Sequence, residues 1–187
     1  MLIESILLMM LFCEPAAAAT RPAVPAESEP EPVPSYHVRC VSKPAIVLDG
    51  RLDEPAWNRA AVETAFRFPW KKTPASRTEF RAICDDMHLY LSWQVRDGDV
   101  VVHDALRDER GVEGEDRVEI FLSRDGGMRG YFCAEVDAIG RVLDYRAAHY
   151  RQFDYTWHWP GLEARGVRTQ DGYSVEARIP FTGLERL

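Results

Sequence analysis

From Thr78 to Ile179, apart from a long charged stretch at Asp97–Gly114 that reads as a loop, the apolar residues of this chain recur at every second position, and short turn signals interrupt the pattern repeatedly. Side chains on an extended strand point alternately to opposite faces, whereas a helix repeats every 3.6 residues, so a sustained period of two commits the chain to strands. Thr78 to Cys84 sets Phe80, Ala82 and Cys84 against Glu79, Arg81 and Ile83. Asp85-Asp86 then turns the chain, because short acids bond back to their own backbone. His88 to Arg96 returns with Leu89, Leu91, Trp93 and Val95 on one face, which reads as a hairpin. In Asp116 to Ser123, Val118, Ile120 and Leu122 face the core, and Arg117, Glu119 and Phe121 face away. Tyr131 to Ala138 and Arg141 to Ala147 pair around Gly140, and Asp171-Gly172 joins Leu162–Thr169 to Tyr173–Ile179. Many short strands separated by turns predict an all-β sandwich. One or two short helices complete it, with Glu54 to Ala60 the clearest case. There Asp53 stands as N-cap and Pro55 in the first turn.

The first part of the chain belongs to a different regime. Ser5 to Phe12 is a continuous apolar run too short to span a bilayer, and Ala17-Ala18-Ala19 follows it with small residues of the kind a signal peptidase reads. The run is preceded by Glu4 and by no Lys or Arg. Residues 1–19 are read as an export signal. Cys13 follows Phe12, and a large residue there disfavours lipid attachment. Residues 20–36 are rich in Pro, Ala and Glu, a composition that holds a chain extended and solvated, and they read as a linker. The sandwich then occupies residues 37–187. A composition of 46% hydrophobic and 28% charged residues fits one globular unit of that size.

A net charge of -7 without a block of Lys or Arg excludes a phosphate-neutralising surface, so neither nucleic acid nor an anionic membrane is an expected partner. Beyond the signal, Cys40, Cys84 and Cys133 permit one intramolecular pair at most, and spacing alone does not choose it. They form no zinc pattern and no haem-attachment motif.

Five phrases together carry a resemblance. They are LDGRLDEPAW at Leu48, CDDMHLYLSWQVRD at Cys84, GEDRVEIFLSRD at Gly114, YFCAEVDAIGRVLDYRA at Tyr131 and DGYSVEARIPFTGL at Asp171. In this order and spacing the chain resembles the family 9 carbohydrate-binding modules and their relatives in exported bacterial proteins. The resemblance implies an immunoglobulin-like or jelly-roll sandwich that binds carbohydrate without chemistry of its own, often beside a glycoside-hydrolase domain. It also implies a sugar site on one sheet face, where aromatics clamp a sugar and polar side chains bond its hydroxyls. The strand glutamate of the family's DxVEIF phrase belongs to that site and matches Glu119. Two features depart from the pattern. Gly111-Val112-Glu113-Gly114 stands where studied binders place an aromatic, and the family domain carries a second clamp aromatic on strands beyond the IPF phrase, whereas this sequence ends at Leu187.

Sugars lay their C–H faces on aromatic rings, and Tyr150 to Trp159 is the densest aromatic stretch. Trp157 and Trp159 share a face if that segment is extended, either as a platform or as core at the sandwich end. Trp70, between Pro69 and Lys71-Lys72, is the better candidate for an exposed aromatic, while Trp57 and Trp93 are placed in the core. Glu119 and Glu135 are placed outward on adjacent strands. Two carboxylates in reach also suit glycosidase acid–base work, but Arg117 and Arg141 nearby explain them as cross-strand ion pairs. The expected carbohydrate site is thus Trp70, Arg117, Glu119, Glu135, Trp157 and Trp159, with no catalytic residue.

Asp85, Asp86, Asp97, Asp99 and Asp104 supply oxygens that a structural calcium could use, Asp97 and Asp99 first, although without an EF-hand-like register turn-forming acids are the default reading. No other cofactor is expected. Two rival functions remain at this stage. Related sandwich domains bind haem in exported electron-transfer proteins, for which Met87, Met128 and His103 are candidate ligands. The other rival is a scaffold module without a ligand.

Overall fold

A computed structural model describes residues 35–67, 75–103, 105, 108–124 and 126–185. The export signal, Cys13, most of the linker, Trp70 and Asp104 lie outside the described residues. Two sheets form the molecule. The first joins β1 (Arg39–Cys40), β2 (Thr78–Cys84), β3 (His88–Arg96), β9 (Gly172–Pro180) and β8 (Glu163–Thr169), in the order β1-β2-β3-β9-β8. The second joins β4 (Arg117–Leu122), β5 (Gly130–Asp137), β6 (Val142–Ala148) and β7 (Gln152–Asp154), in chain order. The all-β sandwich expected from the alternation is therefore present, and all the long pairings are antiparallel.

The core lies between the sheets. Phe80, Leu89, Leu91, Trp93, Val95, Val175 and Ile179 of the first sheet meet Val118, Ile120, Ala134 and Val136 of the second. Burying large apolar side chains on both inner faces contributes on the order of 2 kcal/mol each, and this drives the two sheets together. Close contact also depends on small residues. A Cβ on Gly140, in the β5–β6 turn, would meet the Gly166 nitrogen of β8 at 2.5 Å, and Gly140 has φ +89°.

Helix is as scarce as expected: two 3₁₀ segments, Pro55–Arg59 and Glu109–Gly114, and one α-helical turn, α1 (Phe181–Leu184), among the described residues. The first corrects a detail. Glu54, not Asp53, precedes the helix as N-cap, and neither contributes a capping side-chain bond there. The second lies within a stretch expected to be irregular loop.

The outer face of the first sheet is also covered. Chain from Val41 to Ala60 lies over it, and Trp57, Val41 and Ala56 pack on Ile83 and Tyr90. Ile83, expected on the face opposite the core, is fully buried for this reason. Glu176 of β9 organises the cover. Its carboxylate accepts the N–H groups of Asp49 (3.1 Å) and Gly50 (2.9 Å) on one oxygen and the Trp57 indole N–H (3.0 Å) on the other. Burial pushes the Glu176 pKa up to about 7 against the pull of those three donors. Cys40 and Cys84 face one another across the β1–β2 pair and form the disulfide, and Cys133 is a buried free thiol.

Candidate functional site

The second sheet turns its outer face to a different purpose. Because strand neighbours share a face, register alone lays out the surface. One row runs Glu119, Glu135, Leu143 across β4, β5 and β6; the next runs Phe121, Cys133, Tyr145; the next runs Tyr131, Ala147, Phe153 into β7. The 3₁₀ helix Glu109–Gly114 lies over the same face, placing Val112 on Leu143 and Tyr145.

Two half-buried aromatic pairs border this face. Phe121 and Tyr131 have ring centroids 5.8 Å apart on one side. On the other, Phe153 and Tyr155 lie 5.7 Å apart, and both rings rest against Tyr145 at 5.3 Å. Between Tyr131 and Phe153 the floor is Ala147, whose small side chain leaves a notch two strand spacings, or about 10 Å, across. Arg110 lies 4.6 Å over the Tyr155 ring, and Glu113 accepts the Tyr155 hydroxyl at 3.0 Å. Burial and the Glu113 bond push the Tyr155 phenol up to about 12. An open groove of about 550 Å³ lies at the end of the same strands, lined mostly from the opposite face by residues such as Phe132, Arg146 and Asp154, together with Tyr131 and Ala147. A second open groove, near Arg39 and Arg59, lies on the N-terminal cover of the other sheet.

The polar centre of the face is a shared ion pair. Arg117 contacts Glu119 at 2.8 Å and Glu135 at 2.5 Å, and donates to the Glu113 carbonyl at 2.8 Å. Tyr145 donates to Glu135 at 3.1 Å. Burial and the neighbouring Glu119 charge raise the Glu135 pKa, while Arg117 opposes that shift. Glu119 retains 25% of its side-chain exposure against 6% for Glu135. Glu119 is thus the more solvent-accessible carboxylate, and Glu135 holds Arg117 in position from below.

The structure therefore brings together Arg117, Glu119 and Glu135, and it separates the two tryptophans from them. Trp159 is 3% exposed in the main core, and Trp157 packs at 5.0 Å on Phe132, which belongs to the inner face. The reason is local. Asp154 accepts both the N–H and the hydroxyl of Thr156, ends β7, and turns the chain over the sheet edge. The extended geometry that would keep Trp157 and Trp159 beside Phe153 is broken there. Arg141 is corrected as well: it pairs with Asp137 at 2.5 Å rather than with the glutamates. Phe121, Tyr131, Phe153 and Tyr155 were not singled out from sequence, although the same alternation that places Glu119 and Glu135 places Phe121 and Tyr131 beside them.

The acids considered for calcium build turns. Asp85 accepts the N–H groups of Met87 and His88 at 2.7 Å, and Asp97 accepts that of Asp99 at 2.9 Å. The haem candidates are scattered. Met87 is exposed beside the β2–β3 turn, Met128 is buried in the β4–β5 turn, and the His103 imidazole is bonded to Glu115 at 2.8 Å. Among the described residues no helix is long and apolar enough to cross a membrane.

A family model described as carbohydrate family 9 binding domain-like matches residues 48–187. The chain belongs to that family. Among curated proteins nothing matches significantly. Similar solved structures include a family 9 carbohydrate-binding module from Caldicellulosiruptor kristjanssonii in complex with glucose. It is 22% identical with a TM-score of 0.51, over 77% of this chain and 69% of that one. The same description, with cellotriose, applies to a second at 22% identity and a TM-score of 0.50, over 77% and 67%. A candidate carbohydrate-binding protein from Bacteroides uniformis ATCC 8492 is 17% identical with a TM-score of 0.59, over 80% and 74%. These likenesses establish the family 9 sandwich fold.

Proposed function

We propose that this domain binds a mono- or oligosaccharide on the outer face of β4–β7, as a non-catalytic module of an exported protein. The observation that carries the reading is the flanking of the Arg117–Glu119–Glu135 network by two pairs of half-buried aromatics on one sheet face. A pyranose lying in the notch over Ala147 would set its apolar C–H faces toward Tyr131 and Phe153. Glu119, two register rows away on the same face, would offer its free lone pairs to the hydroxyls of a further unit of an oligosaccharide. Few, well-placed polar groups among aromatics are the usual composition of a small-ligand site. Glu119 and Glu135 share one arginine on an open face, an arrangement that supports ligand recognition rather than acid–base work.

Family 9 modules with glucose and cellotriose bound motivate these two sugars as the first ligands to try. Export is supported by the N-terminal apolar run and by the Cys40–Cys84 bond, since disulfides persist in oxidising compartments. A role in carbohydrate breakdown, beside a catalytic domain or protein, follows from the same reading. Calorimetric titration of glucose, cellobiose, cellotriose and xylo-oligosaccharides tests it. Saturable heat that weakens at least tenfold in Glu119→Ala and in Phe153→Ala is expected. Absence of heat across the panel, or binding indifferent to both changes, would leave the scaffold reading in its place.

A further inference from the structure

Outside the proposed sugar face, three side chains from separate segments converge at the exposed edge of β6. Asp144 extends from β6 itself, Glu109 from the first residue of the second 3₁₀ helix, and His158 from the loop after β7. One ligand atom from each lies within 4.8 Å of the other two. Asp144 is 8% exposed, and its two oxygens have different roles. One accepts the backbone N–H of Trp159 at 2.6 Å, which fixes the carboxylate plane, and the other faces His158 Nδ1 at 2.8 Å. Glu109 and His158 are exposed, so both can rotate around the fixed carboxylate.

We propose that Glu109, Asp144 and His158 form a binding site for a divalent transition-metal ion such as Zn²⁺. Ligand atoms about 2.0–2.2 Å from a tetrahedral metal are separated by roughly 3.4 Å. Spreading Asp144 and His158 apart and drawing Glu109 inward requires movements of about 1 Å, and only the exposed side chains need to make them. The ion would take the place of the direct Asp144–His158 contact, with water completing the fourth position. One imidazole with two carboxylates favours zinc, cobalt or nickel over calcium or magnesium, which prefer six or more oxygens. The Trp159 N–H supplies the outer hydrogen bond that orients a liganding carboxylate.

The location gives the site a consequence. Glu109 opens the helix that carries Arg110, Val112 and Glu113 over the sugar face, and His158 follows closely after Tyr155. A bound ion would tie both rims of that face to β6, whether or not the face binds sugar.

Metal-free protein lacking a histidine tag, titrated calorimetrically with ZnCl₂ and in parallel with CaCl₂, tests the proposal. Binding of one Zn²⁺ per chain is expected, with Tm raised by about 5 °C or more at saturation. Both effects are expected to be lost at least tenfold in His158→Ala and in Glu109→Gln, exposed changes that leave the core intact. Absence of Zn²⁺ binding, binding retained in both variants, or equal affinity for Ca²⁺ would each overturn it. Sugar titrations repeated on His158→Ala keep the two proposals separate, because failure of one does not alter the readout of the other.

Discussion

Replacing Trp57 by Phe probes the buried carboxylate that fastens the N-terminal cover to the first sheet. The change keeps an aromatic ring against Ile83 and Tyr90 but removes the indole N–H that Glu176 accepts at 3.0 Å. With a pKa of about 7 in the folded chain, Glu176 lies well above an ordinary carboxylate of 4.5. The native state therefore holds a proton that the unfolded state has released between those values. Its contribution to stability is complete below pH 4.5 and is lost as pH rises through 7. Two and a half pH units correspond to about 3 kcal/mol, at roughly 1.4 kcal/mol per unit. Against a protonated Glu176 the lost indole bond costs about 1 kcal/mol, and against the carboxylate about 1.5–3 kcal/mol. The penalty of Trp57→Phe should accordingly grow by about 1 kcal/mol or more between pH 5 and pH 8.5. The smaller ring adds a loss that is the same at both. Urea unfolding followed by far-UV circular dichroism at several pH values measures this directly. In Glu176→Gln the wild-type pH slope should flatten and the pH-dependent part of the Trp57→Phe penalty should vanish. Parallel pH profiles for wild type and Trp57→Phe, or an unchanged slope in Glu176→Gln, would refute the reasoning.

Three other perturbations address separate parts of the structure. Arg117→Met strands the buried Glu135 without its cation and should cost about 3–5 kcal/mol in urea unfolding, with much of the loss recovered in the Arg117→Met/Glu135→Gln double variant. Replacing both Cys40 and Cys84 by Ala opens a loop with a sequence separation of 44, for which chain entropy gives about 4 kcal/mol of lost stability, and mass spectrometry of the alkylated wild type should show a single labelled domain cysteine, Cys133. Gly140→Ala forces a Cβ onto Gly166 at positive φ and should lower stability by about 2 kcal/mol or more in thermal unfolding, whereas Gly98→Ala, with nothing within 4 Å, should be close to neutral.

Period-two patterning was sufficient for the strands because each inner face is buried, so a register slip would expose every apolar residue it carries. Leu89, Leu91, Trp93 and Val95, and Val118 with Ile120, occupy the inner faces their alternation predicts. The same rule placed Arg117, Glu119 and Glu135 together, which is most of the polar half of the candidate site. It failed where the chain leaves the extended state. Phe153, Tyr155, Trp157 and Trp159 have identical parity, and only the Asp154–Thr156 turn decides that the first pair borders the outer face while the second enters the core. The segment from Val41 to Ala60 has no period to read, so its role as a cover, and the burial of Ile83 beneath it, followed from tertiary packing alone. Register between strands was likewise needed to see that Ala147 separates Tyr131 from Phe153.

The cover has a geometric corollary for how the domain meets its surroundings. The polypeptide enters through Tyr36, whose ring lies 5.3 Å from Phe80 on the five-stranded layer. Phe80 faces the core, so the described chain begins beside the inter-sheet core and leaves the outer face of β4–β7 clear.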